Sequence, residues 1–112
     1  MPYKLSRCIA IHHAAQEQAV RFYSQVLGLA VAGEINGAVE LSAAPFRIFI
    51  DKREPRDLVL ELLVPDLEAA RVELVAAGCH VIEWKGKGNN CFIRDPFGTM
   101  FNLWEDPEAF EK

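Results

Sequence analysis

The chain is poor in the residues that would tie it to an oxidising compartment, a membrane or a polyanion. Its 112 residues hold three cysteines. Cys8, Cys79 and Cys91 form no C-x-x-C pair and leave one thiol over under any pairing, so free thiols in a reduced compartment are expected rather than a disulfide framework. The longest apolar runs are strand-length and no charged segment precedes one. Neither a signal peptide nor a membrane span is predicted, and a cytoplasmic location follows. Cations are outnumbered, with 12 Lys and Arg against 16 Asp and Glu and a formal net charge of -4. That balance argues against a general nucleic-acid binder, which needs clustered Lys and Arg to displace counterions. The expected partner is a small molecule, with no nucleic acid and no membrane.

What is present is a soluble globular profile, 51% hydrophobic and 25% charged, enough for one compact domain over residues 1–112. Within it a pattern of strand, amphipathic helix and strands occurs twice, the second copy about 50 positions after the first. The first module runs from about residue 5 to 52 and the second from about 57 to 105. In the first, Cys8–His12 leads into a helical stretch ending at Gly28, then Leu29–Val31 and Phe46–Ile50. In the second, Val59–Val64 leads into a helix ending at Gly78, then Val81–Trp84, Cys91–Ile93 and Met100–Trp104.

Ala19, Phe22, Tyr23, Val26 and Leu27 fall at the spacing of one buried helical stripe, and Gly28 is a C-cap candidate. Leu67, Ala70, Leu74 and Ala77 repeat the stripe in the second copy, with Asp66 as N-cap after Pro65. Ala15 stands where Asp66 stands. The first helix therefore lacks a capping oxygen at this place, and Gln16 or a neighbouring loop must satisfy its free amides.

Alternate strand residues point to opposite faces, and the helices must cover the uniformly apolar one. That set is Ile9, Ile11, Ile48, Ile50, Leu60, Leu62, Val64, Phe101 and Leu103. The opposite face then carries Cys8, Ala10 and His12, Arg47, Phe49 and Asp51, Val59, Glu61 and Leu63, and Met100, Asn102 and Trp104. Buried polar groups need partners, so a face mixing charge with aromatics is where function is sought.

The stretch Ala19–Leu29 with its FYSQVLG end, the run Val64–Ala70 through Gly78, and Asp95-Pro96-Phe97-Gly98 followed by Asn102–Glu105 resemble the glyoxalase/bleomycin resistance protein/extradiol dioxygenase superfamily, the vicinal oxygen chelate fold. The resemblance covers nearly the whole chain. It implies an α+β fold in which two βαβββ modules form a curved mixed sheet around a concave cleft, helices on the outer face. It also implies a divalent metal held by His and Glu. The positions that would supply those ligands fall here on Cys8, Phe49, Val59 and Asn102. None is the usual ligand: Phe49 and Val59 cannot coordinate, and Asn102 is a weak neutral donor. No metal and no cofactor are expected.

His12 and His13 are adjacent on a strand and point to opposite faces, so they do not make a joint metal site. His12 with Glu61 is the best replacement pair and the weak candidate for catalysis, yet two ligands are too few. Cys8 and His12 share a strand face but lie four residues apart, roughly 13 Å, too far for a Cys–His pair. Lys85–Asn90 reads as a hairpin loop whose lysines steer an anion only if it overhangs the cleft. The acidic tail from Glu105 reads as a solvated end.

Two functions are carried forward. The first is metal-independent binding or sequestering of a small molecule in the cleft, by Cys8, His12, Arg47, Phe49, Asp51, Val59, Glu61, Met100, Asn102 and Trp104, with Trp84 as further flat surface. The second is a metal-dependent lyase, isomerase, dioxygenase or thiol transferase with an irregular site near His12 and Glu61. A metal-free enzyme using that pair as acid and base is a variant of it. A homodimer is expected, since family members commonly complete their clefts with a second chain and pairing would cover open sheet edges.

Overall fold

Asn36 and Gly37 both carry positive φ, 50° and 83°. They close a two-residue hairpin of the kind that suits the twist of paired strands. The computed structural model describes residues 2–54 and 58–111. The chain divides into two compact units, the first Arg7–Leu58 and the second running from Val59 onward together with the opening residues through Ser6. The module start expected near residue 57 lies outside the described residues, as does Lys112 at the end of the tail.

The first unit has β1 (Lys4–His12) from Arg7 onward, β2 (Val31–Ile35), β3 (Ala38–Ala43) and β4 (Phe46–Asp51) in the order β2-β3-β4-β1. β1 pairs β4 in parallel and the other pairs are antiparallel. The second unit repeats the plan with β5 (Val59–Val64), β6 (His80–Trp84), β7 (Cys91–Arg94) and β8 (Met100–Glu105), ordered β5-β8-β7-β6. Here β5 and β8 are parallel. Each unit is thus a βαβββ module with a mixed sheet, and the fold class is α+β.

Strand parity holds. Ile11 and Ile48 pack against the buried Ala19, Leu41 and Ile50 of the first unit. Val64 and Leu103 join Leu67, Ala70, Cys79, Cys91 and Ile93 in the second, with Phe101 packed against them. The second helix, α2 (Leu67–Ala76), starts as expected, with the Asp66 carboxylate accepting from the Ala69 amide at 3.0 Å.

The first helix departs from expectation. α1 (Gln16–Arg21) gives way to a π turn over Phe22–Val26, where the Leu27 amide donates to Phe22 O. The wider turn puts more residues into each rotation and breaks the 3.6-residue phase. Tyr23 stays against the core, but Phe22, Val26 and Leu27 are exposed, Val26 at 68%. Gln16 does not cap the helix either. Its Nε2 donates to Gly37 O and Ile50 O at 2.8 and 2.9 Å, while His13 Nδ1 accepts from the Ala15 amide.

Two further expectations are corrected. β3 was not anticipated, and β2 begins where the sequence reading ended its strand. The C-terminal tail is also not a free end: Pro107–Phe110 forms a 3-10 turn, Lys4 Nζ donates to Ala109 O, and Lys4 lies over the Phe110 ring.

Candidate functional site

Each unit presents one face that its helix does not cover. In the first, strand register builds a small grid. Arg47 of β4 lies between Ser42 and Cys8, Phe49 between Glu40 and Ala10, and Asp51 beside His12. Register partners share a face, so these side chains emerge together.

Arg47 dominates the grid. Its Nε and Nη2 donate to the two carboxylate oxygens of Glu40 at 2.8 and 3.0 Å, its Nη1 is 4.0 Å from Cys8 Sγ, and its guanidinium carbon lies 5.3 Å from the Phe49 ring centre. The two-pronged bond to Arg47 holds the Glu40 carboxyl below the usual carboxylate range. Asp51 accepts from Arg53 Nε at 2.9 Å. His12 is only 3% exposed, whereas His13 is exposed, so the adjacent histidines do face opposite ways. The Cys8 thiol is half-buried and is not in a disulfide.

In the second unit Glu61 pairs with Asn102, and Phe92 of β7 lies opposite Asn102 in the antiparallel ladder. The Asn102 carboxamide is used at both ends: Oδ1 accepts from the Cys91 amide at 2.9 Å and Nδ2 reaches Glu61 at 3.5 Å. Trp104 and Leu63 are register partners and half-buried. Val59 and Met100 are almost sealed, Val59 at 1%. They shape the face from beneath and offer a ligand little surface.

Glu40, Arg53 and Phe92 escaped the sequence reading. Parity from the Asn36-Gly37 turn would have found Glu40, and parity along β7 would have found Phe92. Trp84 goes the other way. Its register partner is Cys91, it packs against the helix-side core, and its Nε1 donates to Glu68 at 3.0 Å while Arg71 covers the ring. It therefore adds no ligand surface.

The 85–90 loop is a hairpin turn, with Lys85 N donating to Asn90 O and positive φ at Gly86 and Gly88. Lys85 lies 3.7 Å from Glu83 and Lys87 2.8 Å from Glu105, so both charges have carboxylate neighbours. Burial pushes the Cys79 and Cys91 thiols up, the direction that leaves them unreactive.

A divalent metal does not fit the four family ligand positions. Phe49 and Val59 have no lone pair to give, and the Asn102 oxygen is occupied by the Cys91 amide. Cys8 alone remains, well short of the three or four protein ligands such sites use. Among the described residues no group of three or more His, Cys, Asp and Glu side chains is placed to hold an ion. Among them, too, no helix is long and apolar enough to cross a membrane.

Solved structures share this architecture. A glyoxalase/bleomycin resistance protein/dioxygenase superfamily member from Vibrio splendidus is 14% identical, with 94% of this chain and 99% of that one covered at a TM-score of 0.67. Methylmalonyl-CoA epimerase from Mycobacterium tuberculosis is 23% identical, with 94% and 89% covered at 0.57. The Mn(II)-bound glyoxalase from Novosphingobium aromaticivorans is 20% identical over 92% of this chain and 38% of its own, at 0.59. At these identities the likeness is one of fold. No curated protein sequence matches the chain. The glyoxalase-like domain model, however, matches residues 8–104, and with two βαβββ modules in place the chain belongs to the glyoxalase-like domain family of the glyoxalase/bleomycin resistance protein/dioxygenase superfamily.

Proposed function

We propose that this chain is a metal-independent small-molecule binding protein that captures its ligand stoichiometrically on the uncovered sheet faces. The observation that carries this reading is the state of Asn102. At the position where the family resemblance implies a metal-binding carboxylate, this chain has a neutral amide whose oxygen accepts from the Cys91 amide beside the β7–β8 ladder. The remaining side chains suit binding. Phe49 and Trp104 give flat apolar area, and Arg47, Asp51, Glu61 and Asn102 give polar groups that orient a ligand. Cys8 is a small half-buried contact, His12 in the first unit and Val59 and Met100 in the second are too buried to offer much surface, and nucleic acid has no place on so acidic a chain.

The Mn(II)-bound glyoxalase and the epimerase show that the same fold also carries enzymes. The burial of His12 weighs against that reading here, because a proton-transfer group must reach its substrate. Assembly as a homodimer in the cytoplasm belongs to the proposal. Strand β2 supports it, being exposed along its whole length at the edge of its sheet with Val31 and Ile35 uncovered.

The test is metal analysis joined to ligand binding. Purified protein incubated with Mn²⁺, Zn²⁺, Ni²⁺ or Fe²⁺ and then desalted should retain far less than one equivalent of any of them. Binding of a small aromatic probe should be unchanged by EDTA. A stoichiometric ion ligated by three or more protein atoms, or turnover that a chelator abolishes, would overturn the proposal.

A further inference from the structure

We propose that Arg47, fixed by Glu40 over Phe49, is a stacking platform that selects planar, electron-rich aromatic ligands lacking a positive charge. This rests on the reading of the chain as a small-molecule binder and specifies what it binds.

Arg47 and Phe49 are successive outward residues of β4, and their register neighbours on β1 are Cys8 and Ala10, both small; across β3, Arg47 meets Ser42. Short side chains on both sides of Arg47, and on the β1 side of Phe49, leave the guanidinium standing above its neighbours, with Glu40 beside the ring on β3.

Next comes order. A free arginine samples many rotamers, and a ligand must overcome that entropy on immobilising it. Here the two bonds to Glu40, the Phe49 ring beneath and the Cys8 sulfur beside it already fix the group. The Arg47 side chain is nevertheless 46% exposed. A planar cation that is held in place and still open to solvent is a preorganised recognition surface.

Charge then narrows the ligand. The pair is neutral as a whole, and the carboxylate keeps its proton off because Arg47 bonds to it. A compact anion at the Nε–Nη2 edge would have to displace Glu40 and leave that carboxylate without its partner, and at the Nη1 edge it would meet the Cys8 sulfur with the Glu40 charge close by. A cation would meet the guanidinium head on. A flat π system can lie on the guanidinium without disturbing either bond, and gains most when its face is electron-rich. The second charged pair on this face, Asp51 with Arg53, is likewise matched and adds no pull for a net ion.

The experiment is calorimetric titration of EDTA-treated protein with three probes: 2-naphthol, its saturated counterpart decahydro-2-naphthol, and 1-naphthylmethylammonium. The expected result is that 2-naphthol binds about ten-fold more tightly than either of the others, an increment typical of a partly desolvated cation–π contact. Arg47→Met should lower 2-naphthol affinity by about ten-fold and leave the saturated alcohol within about two-fold; Arg47→Lys should not restore the loss, because an ammonium has no plane. Glu40→Gln keeps the cation but frees its geometry, and should cost 2-naphthol several-fold. Thermal denaturation of each variant verifies that it folds.

Equal binding of 2-naphthol by wild type and Arg47→Met overturns the platform and leaves the binder reading standing. Equal affinity for the flat and saturated alcohols does the same. Binding of all three probes only after Mn²⁺ is added overturns the metal-independent reading, and the Arg47 series repeated in that buffer then decides the platform separately. No binding in either buffer overturns both.

Discussion

Lys87 Nζ lies 2.8 Å from one carboxylate oxygen of Glu105, and the other oxygen accepts the Leu67 amide at 2.9 Å. One side chain thus ties the β6–β7 hairpin loop to the end of β8 and supplements Asp66 at the start of α2.

This arrangement sets a pH dependence. The Lys87 ammonium first, and the Leu67 amide second, hold the Glu105 carboxyl below its usual range, while the same contact holds Lys87 above its own. A carboxyl with a lowered folded-state pKa contributes stability in full above the unfolded value, about 4.3, and loses it as pH falls through the folded value. Lys87 runs the opposite way, its contribution complete below about 10.4 and lost as pH rises through its raised folded value. Glu105→Gln should therefore lower stability at pH 7 and flatten its fall below about pH 4.5. Urea denaturation at pH 7 and pH 3.5 checks this; a variant with the wild-type acid slope would contradict it.

The two helices should respond differently to changes at their caps. Asp66→Ala removes the side-chain oxygen bonded to the Ala69 amide and should cost about 1 kcal/mol. Ala15→Asp, at the matching place of a helix start with no side-chain cap, should gain stability instead, because its carboxylate would accept from the Gln18 amide. Denaturant midpoints of the two variants measure the asymmetry.

The π turn makes a sharper forecast. If the helix kept its expected phase, Val26→Ser and Tyr23→Ala would both be damaging. With Val26 exposed and Tyr23 packed against Leu41 and its neighbours, Val26→Ser should stay within about 0.5 kcal/mol while Tyr23→Ala costs roughly 2–4 kcal/mol. Similar losses from both would restore a regular helix.

Self-association can be tested at the β2 edge. Val31→Lys places a charge on an exposed strand and should barely change folding stability. If the homodimer uses that edge, light scattering will show the apparent mass of the variant fall toward 12.6 kDa, the mass of one chain. An unchanged dimer would assign the contact to another surface, and a monomeric wild type would remove the dimer from the proposal.

The repeat, the class of fold and most of the core were legible in the sequence because they depend on periodicity. Ile11, Ile48, Ile50, Val64 and Leu103 all lie where strand parity puts them. The Asp95-Pro96-Phe97-Gly98 turn was legible too, its Gly98 amide bonded to Asp95 O at 3.2 Å with Gly98 at φ 99°. What could not be read was nonlocal. No spacing rule reveals that Gln16 will reach Gly37 and Ile50, or that Glu105, apparently part of a loose acidic tail, will be gripped by Lys87. The π turn was hidden because its residues fit a regular helix equally well on paper. β3 does carry a local signal, since Asn36-Gly37 between two alternating segments marks a hairpin. On the candidate face, parity located Arg47 and Phe49 but not the Glu40 that holds them, since Glu40 lies on the strand the reading passed over.

The duplicated halves are not separable at the seam the repeat suggests. Tyr3 packs against the core formed by Val64, Leu67 and Leu103, and Lys4 secures the 3-10 turn at the far end of the chain. During synthesis the opening residues must therefore wait, unpacked, until the later half has left the ribosome. A fragment starting at Val59 would emerge with a missing wall, whereas a circular permutant that carries the opening residues behind the C-terminus would keep it.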